Sequence, residues 1–232
     1  MIMKSYLTLI LAALLALSTV GCAAKTTTPE TTQTAAPETT EIQATEEEPM
    51  EGGWTNAEDP EITPELRKLC EKAMDGLEGA VHTPVALLAT QVVAGTNYRI
   101  LFRTTIVVPD AVETYSIGTL YEDLEGNVTL TDLESTSAET DLTEDLGGWT
   151  QPESVVLPQE AKEAFDTAMD GLVGVDYQPL ALVASQVVAG TNYRILCQAT
   201  VVYPDAEPYY AMVTVSSPLE GRAEVLEITN LE

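Results

Sequence analysis

One stretch of this chain is present twice. Gln91-Val92-Val93-Ala94-Gly95-Thr96-Asn97-Tyr98-Arg99-Ile100-Leu101 recurs unaltered as Gln186 through Leu196, 95 positions later. The same shift carries Gly52-Gly53-Trp54-Thr55 onto Gly147-Gly148-Trp149-Thr150, Ala73 to Leu77 onto Ala168 to Leu172, and Glu125-Gly126 onto Glu220-Gly221. No gap is needed. A fixed-period repeat of this length means that one structural unit is built twice, which divides the folded part into residues 52–134 and 147–232. The acidic stretch 135–146 reads as the linker between them.

Both copies carry the same pattern. In the first, Leu66, Leu69, Cys70, Ala73, Met74 and Leu77 follow the i, i+3, i+4 spacing of a helix with one apolar stripe. Thr63 stands as a cap, Pro64 fits the first turn, and Gly76 and Gly79 mark the end. Ala161, Ala164, Phe165, Ala168, Met169 and Leu172 repeat the stripe. Tyr98, Ile100, Phe102, Thr104, Ile106 and Val108 then alternate with the mostly polar Asn97, Arg99, Arg103 and Thr105, as on a strand with one buried face. Runs 114–120 and 128–133 predict further strands around a Glu125-Gly126-Asn127 turn. The order implies an α+β fold, in which one helix crosses one face of a four- to five-stranded antiparallel sheet, twice.

The chemistry is narrowed by what the chain holds few of. Its single histidine, His82, restricts any Cys-His or Ser-His pair to one place. The duplicate puts Phe165 and Tyr177 where the first copy has Cys70 and His82, so a nucleophile built from that pair is not expected. Cys70 and Cys197 fall on apolar stripes, and their counterparts are Phe165 and Phe102. They read as small buried hydrophobes; a disulfide between the repeats is the open alternative. No metal or cofactor is expected. The formal charge of −27 sets the surface against nucleic-acid phosphates and anionic lipid headgroups.

The first residues read as an export signal. Lys4 precedes an apolar run from Leu7 to Leu17, too short to span a bilayer, and small residues lead to Gly21-Cys22. Thr19-Val20-Gly21-Cys22 resembles the bacterial lipobox, which implies cleavage after residue 21 and lipid attachment at Cys22; Thr19 stands where Leu is usual, so cleavage without lipid stays open. Residues 22–51, dominated by Thr, Ala, Pro and Glu, bury too little to order themselves and read as an acidic tether. The chain is therefore expected outside the cytoplasm, held to a membrane only by its N-terminal lipid.

A tight hairpin ordinarily turns on Asn-Gly or Asp-Gly. Here the reversal falls on Val92-Val93-Ala94-Gly95, which places apolar side chains where polar ones are expected. An uncharged apex gives up little hydration on entering a narrow cleft, and Gly95 allows close backbone approach. Plain strand ends are the bland alternative.

Gln91 to Tyr98 and Gln186 to Tyr193 resemble the signature of the cystatin superfamily in its stefin-like form. The resemblance covers most of each repeat: a glycine-bearing N-terminal trunk, one helix, the signature hairpin and further strands. It implies two tandem cystatin-like domains and reversible inhibition of papain-like cysteine proteases by a three-part wedge. Carried over by position, the wedge comprises Gly52 and Gly53, then Gln91, Val92, Val93, Ala94 and Gly95, then the loop from Leu124 to Asn127. Its second copy comprises Gly147 and Gly148, then Gln186, Val187, Val188, Ala189 and Gly190, then the loop with Leu219. Neither repeat has the Pro-Trp often found in the family's last loop. Trp54 and Trp149 lie beside the trunk glycines instead, either anchoring in a protease or packing on their own repeat. The alternative function is a non-inhibitory surface-binding or adhesion module on the same fold.

Overall fold

The computed structural model describes residues 52–143 and 145–231. The segments read above as an export signal, a lipid-attachment site at Cys22 and a tether lie outside the described residues. No described helix is long and apolar enough to cross a membrane.

The first repeat runs β1 (Trp54–Asn56), α1 (Pro64–Met74), β2 (Ala80–Val93), β3 (Gly95–Ile106), β4 (Thr114–Glu122) and β5 (Val128–Glu139). The second repeats it as β6 (Trp149–Thr150), α2 (Gln159–Met169), β7 (Val175–Val188), β8 (Gly190–Val201), β9 (Tyr209–Pro218) and β10 (Glu224–Asn230). Each copy forms one five-stranded antiparallel sheet whose strands lie in chain order. The short β1 and β6 were not legible as strands; they complete an edge of each sheet by pairing with β2 and β7.

Thr63 caps α1 by accepting from the Leu66 N–H at 3.2 Å, with Pro64 in the first turn. α2 starts after Pro158, which has no side-chain acceptor, so the second helix lacks that contribution. Leu66 and Cys70 of α1 pack on Ile100, Phe102 and Leu120, while Ala164 and Phe165 of α2 pack on Ile195, Cys197, Val213 and Val215. β2 and β7 each carry two register shifts, at Pro84/Ala86 and Leu87/Ala89 and at the equivalent residues of the second copy. Such bulges bend a strand and raise its twist, so each sheet curls around its helix.

The opposite face of each sheet is partly covered by the other sheet. Val85, Leu88, Leu101, Tyr115 and Ile117 share one buried cluster with Leu180, Val183, Leu196, Tyr210 and Met212, and both repeats form one compact unit. The face of β3 read as mostly polar is thus an inter-sheet face. Leu101 is fully buried on it, and Arg99 turns its guanidinium onto the Trp54 ring at 4.1 Å and the Tyr210 ring at 5.9 Å. A long side chain that stacks its charged plane on aromatic rings is compatible with a face that strand alternation marks as polar.

The repeats are related by an approximate two-fold. Arg99 lies against Tyr210, and Arg194 lies beside Tyr115, its charge opposing the burial that pushes the Tyr115 phenol up to about 12. Glu61, ahead of α1, accepts from the Ser154 hydroxyl and from the Val155 N–H at 3.1 Å. Arg99 is on the Gly95 side of β3, whereas Tyr210 pairs with Gln198, towards the far end of β8 from Gly190. The two signature hairpins therefore sit at opposite ends of the molecule.

The stretch 135–146 is built in at its start. β5 continues to Glu139, and the Thr140 N–H donates to the Glu113 carbonyl at 3.0 Å. Arg194 then donates to the Thr140 carbonyl at 2.7 Å and to the Glu139 carbonyl at 3.4 Å. Leu142 forms a parallel bridge with Trp149.

Candidate functional site

The repeated hairpin is as tight as its sequence is unusual. Val93 pairs with Gly95 and Val188 with Gly190, leaving Ala94 and Ala189 alone at the reversals. Val92 and Val187 are 58% and 71% exposed, and the following valine and alanine of each apex are exposed as well. Gly95 has φ +132° and Gly190 φ +121°. A Cβ on either would run into a backbone carbonyl oxygen of the next strand, that of Glu122 or Ser217. Glycine is required there because the reversal crosses directly over the neighbouring chain.

The trunk is fastened to the hairpin. The Gly52 N–H donates to the Val92 carbonyl at 3.2 Å, and Trp54 pairs with Gln91. The Gln91 amide donates to the Gly52 carbonyl at 2.8 Å and accepts from the Asn97 amide at 2.7 Å. The second copy repeats this relay through Gly147, Gln186 and Asn192, each bond 2.8 Å. A side-chain amide has both a donor and an acceptor to offer. That explains Gln in a position where a strand favours apolar or β-branched residues. Asn97 was visible within the repeated stretch, but its bridging role was not.

The third element comes to the same end. Thr96 pairs with Glu122, so the loop 123–127 emerges beside the apex, and Leu124 on it is 81% exposed. Asp123 organises this loop: its carboxylate accepts from the Asn127 amide at 2.7 Å and from the Asn127 N–H at 2.8 Å. The Asn127 side chain, and then its N–H, hold the Asp123 carboxyl below its usual range. Tyr121, not anticipated from sequence, donates to the Ala94 carbonyl at 2.5 Å and braces the apex from β4. In the second copy Gly190 pairs with Pro218, the Leu219 N–H reaches the Ala189 carbonyl at 3.4 Å, and Leu219 is 82% exposed. Each sheet end thus presents an apolar apex, a trunk glycine and an exposed leucine.

The two tryptophans do not join these tips. Arg99 stacks on Trp54, and the Arg194 guanidinium lies 4.4 Å from the centre of the Trp149 ring. Both rings thus pack on their own repeat, and Trp54 stays 37% exposed. Gly148 is further enclosed by Thr143, and the Gly148 N–H donates to the Asp145 carbonyl at 3.0 Å. Gly52 and Gly147 are both exposed at turns, and only the second trunk has its following glycine enclosed in this way.

Other reactive groups lie elsewhere. Cys70 and Cys197 are free and buried. Burial pushes the Cys70 thiol up to about 11 and the Cys197 thiol further still, the reverse of an activated nucleophile. The His82 Nδ1 is 2.9 Å from the Thr104 hydroxyl. Among the described residues no group of three or more His, Cys, Asp or Glu side chains is placed to hold a metal ion. A cleft of about 540 Å³ opens between the repeats, with Trp54 and Arg99 on one wall and Glu207, Pro208 and Tyr210 on the other. No protein-family model matches this chain, and no curated protein matches its sequence.

Proposed function

We propose that this chain is an exported, lipid-anchored inhibitor of papain-like cysteine proteases built from two cystatin-like repeats. The observation that carries the reading is the convergence of three segments on one sheet end, with their apolar residues outward. Val92, Val93 and Ala94 are exposed, Gly52 is hydrogen-bonded to Val92, and Leu124 stands beside them.

Such an edge suits a narrow, apolar-walled cleft. Its tip is uncharged in a chain of net charge −27, so insertion strips no ion of water. The Gln91 relay, the Tyr121 brace and the Asp123 turn hold the segments before any partner arrives, so little ordering entropy is lost on binding. A hairpin tip inserted this way fills the protease cleft without offering it a peptide bond placed for cleavage. Trp54 and Trp149, stacked by Arg99 and Arg194, stiffen the bases of the trunks. The tether and the lipid on Cys22 would hold the inhibitor at the cell surface.

The test is titration of papain with the intact chain. Submicromolar, reversible inhibition is expected. It should fall by half in capacity for Val92→Asp/Val93→Asp and vanish when Val187→Asp/Val188→Asp is added. Absence of inhibition by the unaltered chain would overturn this reading and favour the adhesion module.

A further inference from the structure

The approximate two-fold does more than separate the two apices. Near its apex the first sheet presents the row Asn56, Ala89, Arg99 and Thr119, consecutive partners across β1 to β4. Facing that row is one from the far end of the second sheet, Gln178, Gln198 and Tyr210. Asn56 exchanges hydrogen bonds with Gln198 at 2.9 and 3.2 Å and donates to Gln178 at 3.1 Å, while Arg99 meets Tyr210. From Ala89 to the tip at Val93 is four residues of strand; from Gln198 to Val202 is also four. At about 3.4 Å per residue the two project equally. The loop after β8 therefore stands level with the apex of the first repeat, one sheet spacing of ~10 Å away. Val202 and Tyr203 on that loop are 73% and 74% exposed. Val107 and Val108 on the loop after β3 are exposed as well, and the same two-fold relationship assigns that loop to the end that carries Val187.

Both sets of tips lie in an acidic setting; at the second end Asp110, Glu113 and Glu220 outnumber Arg222, which is itself paired with Asp170 at 2.8 Å. The loops at the first end carry Asp123, Glu125, Asp205 and Glu207 and no Lys or Arg between residues 123 and 127 or between 202 and 208. An apolar tip inside a carboxylate collar complements an apolar cleft with a cationic rim.

We infer that each end of the molecule is one composite docking surface, the signature apex of one repeat joined to the β–β loop of the other, and that its occupant is a papain-like protease whose cleft is rimmed by basic residues. The assignment rests on the proposed protease reading. It adds that neither repeat alone holds a complete site, and that the two sites face apart, so one chain carries two protease molecules at once.

Two measurements test it. In the full chain carrying Val187→Asp/Val188→Asp, only the first end can insert. Adding Val202→Asp/Tyr203→Asp from the other repeat should raise the inhibition constant for papain about tenfold or more, as loss of contact hot spots does. In the reciprocal chain carrying Val92→Asp/Val93→Asp, Val107→Asp/Val108→Asp should do the same. An inhibition constant unchanged by both pairs, in chains that still inhibit, overturns the composite surface and leaves the proposed function standing. No inhibition by any chain overturns the proposed function itself. The second measurement needs no protease. Spin labels on Cys22→Ser chains bearing Ala94→Cys with Tyr203→Cys should lie within about 20 Å, and those bearing Ala94→Cys with Val108→Cys roughly 40 Å apart, from sheet spacing and strand length. The opposite order overturns the inference whatever the enzyme assays give.

Discussion

The ring edge of Phe102 rests on the bare backbone of Gly118: a Cβ at 118 would come within 2.8 Å of it. In the second repeat the equivalent positions are Cys197 and Val213, both buried, and the large ring has moved to the helix as Phe165, where the first repeat has Cys70. One phenylalanine ring sits in each space between helix and sheet. It enters from the strand in one copy and from the helix in the other.

This exchange makes Gly118→Val a defined lesion. Forcing two methyl groups against Phe102 should cost about 1–3 kcal/mol, and Phe102→Cys alone should cost about 3 kcal/mol by leaving a cavity. The triple variant Cys70→Phe/Phe102→Cys/Gly118→Val reproduces the second repeat's packing and should recover most of the loss in urea melts. Simple additivity of the three losses would show that the spaces are not equivalent.

Gly95→Ala and Gly190→Ala test the crossing at the apex. Each replacement meets a positive φ and a carbonyl oxygen of the adjoining strand, so each should cost about 1–3 kcal/mol and splay the hairpin. Amide exchange should accelerate at Gly52 and Leu219, whose N–H groups bond to Val92 and Ala189, before it does so in the core.

Much of the fold was legible because local physics repeats itself in the sequence. The stripe of Leu66 and Cys70, the Thr63 cap and the turn at Glu125-Gly126 are local signals, and the structure has all three. The partnership of the two sheets was not legible. Leu101, Leu88 and Ile117 are buried by residues a whole repeat away, and Arg99 and Arg103 interrupt the apolar pattern that would have marked their face. Tyr121 escaped for a different reason: the second repeat has Ser216 there, so the repeat does not single it out. The reversal at Val92 to Gly95 was legible, but the sequence left open whether those valines simply end a strand; the structure shows both exposed.

The two thiols should set a limit on alkaline stability. Burial raises the Cys70 thiol from 9.0 to about 11 and raises Cys197 in the same direction. Below pH ~9 native and unfolded chains both hold neutral thiols, and this contribution to stability is complete. Above it the unfolded chain ionises first, so stability falls between pH 9 and 11 by about 1.4 kcal/mol per pH unit for each thiol. Cys70→Ala/Cys197→Ala should flatten that decline, though the variant starts from lower stability because of its cavities. In the unaltered protein neither thiol should react with a disulfide reagent at pH 8 until denaturant is added.

Cutting the chain between the repeats should destroy both halves. Residues 52–143 alone would expose Val85, Leu88, Leu101, Tyr115 and Ile117, all buried in the shared cluster. Fully exposing a large apolar side chain costs about 1.5–3 kcal/mol, so the loss is comparable to the whole stability of a typical domain, about 5–15 kcal/mol. The second half would lose the Thr140 carbonyl from Arg194, leaving that guanidinium with Trp149 alone. Each fragment should therefore aggregate or lack a cooperative melt, and mixing the two during refolding should restore a single sharp transition. A monomeric fragment with its own sharp melt would show that the inter-sheet cluster is a contact between finished domains rather than a core that both repeats need.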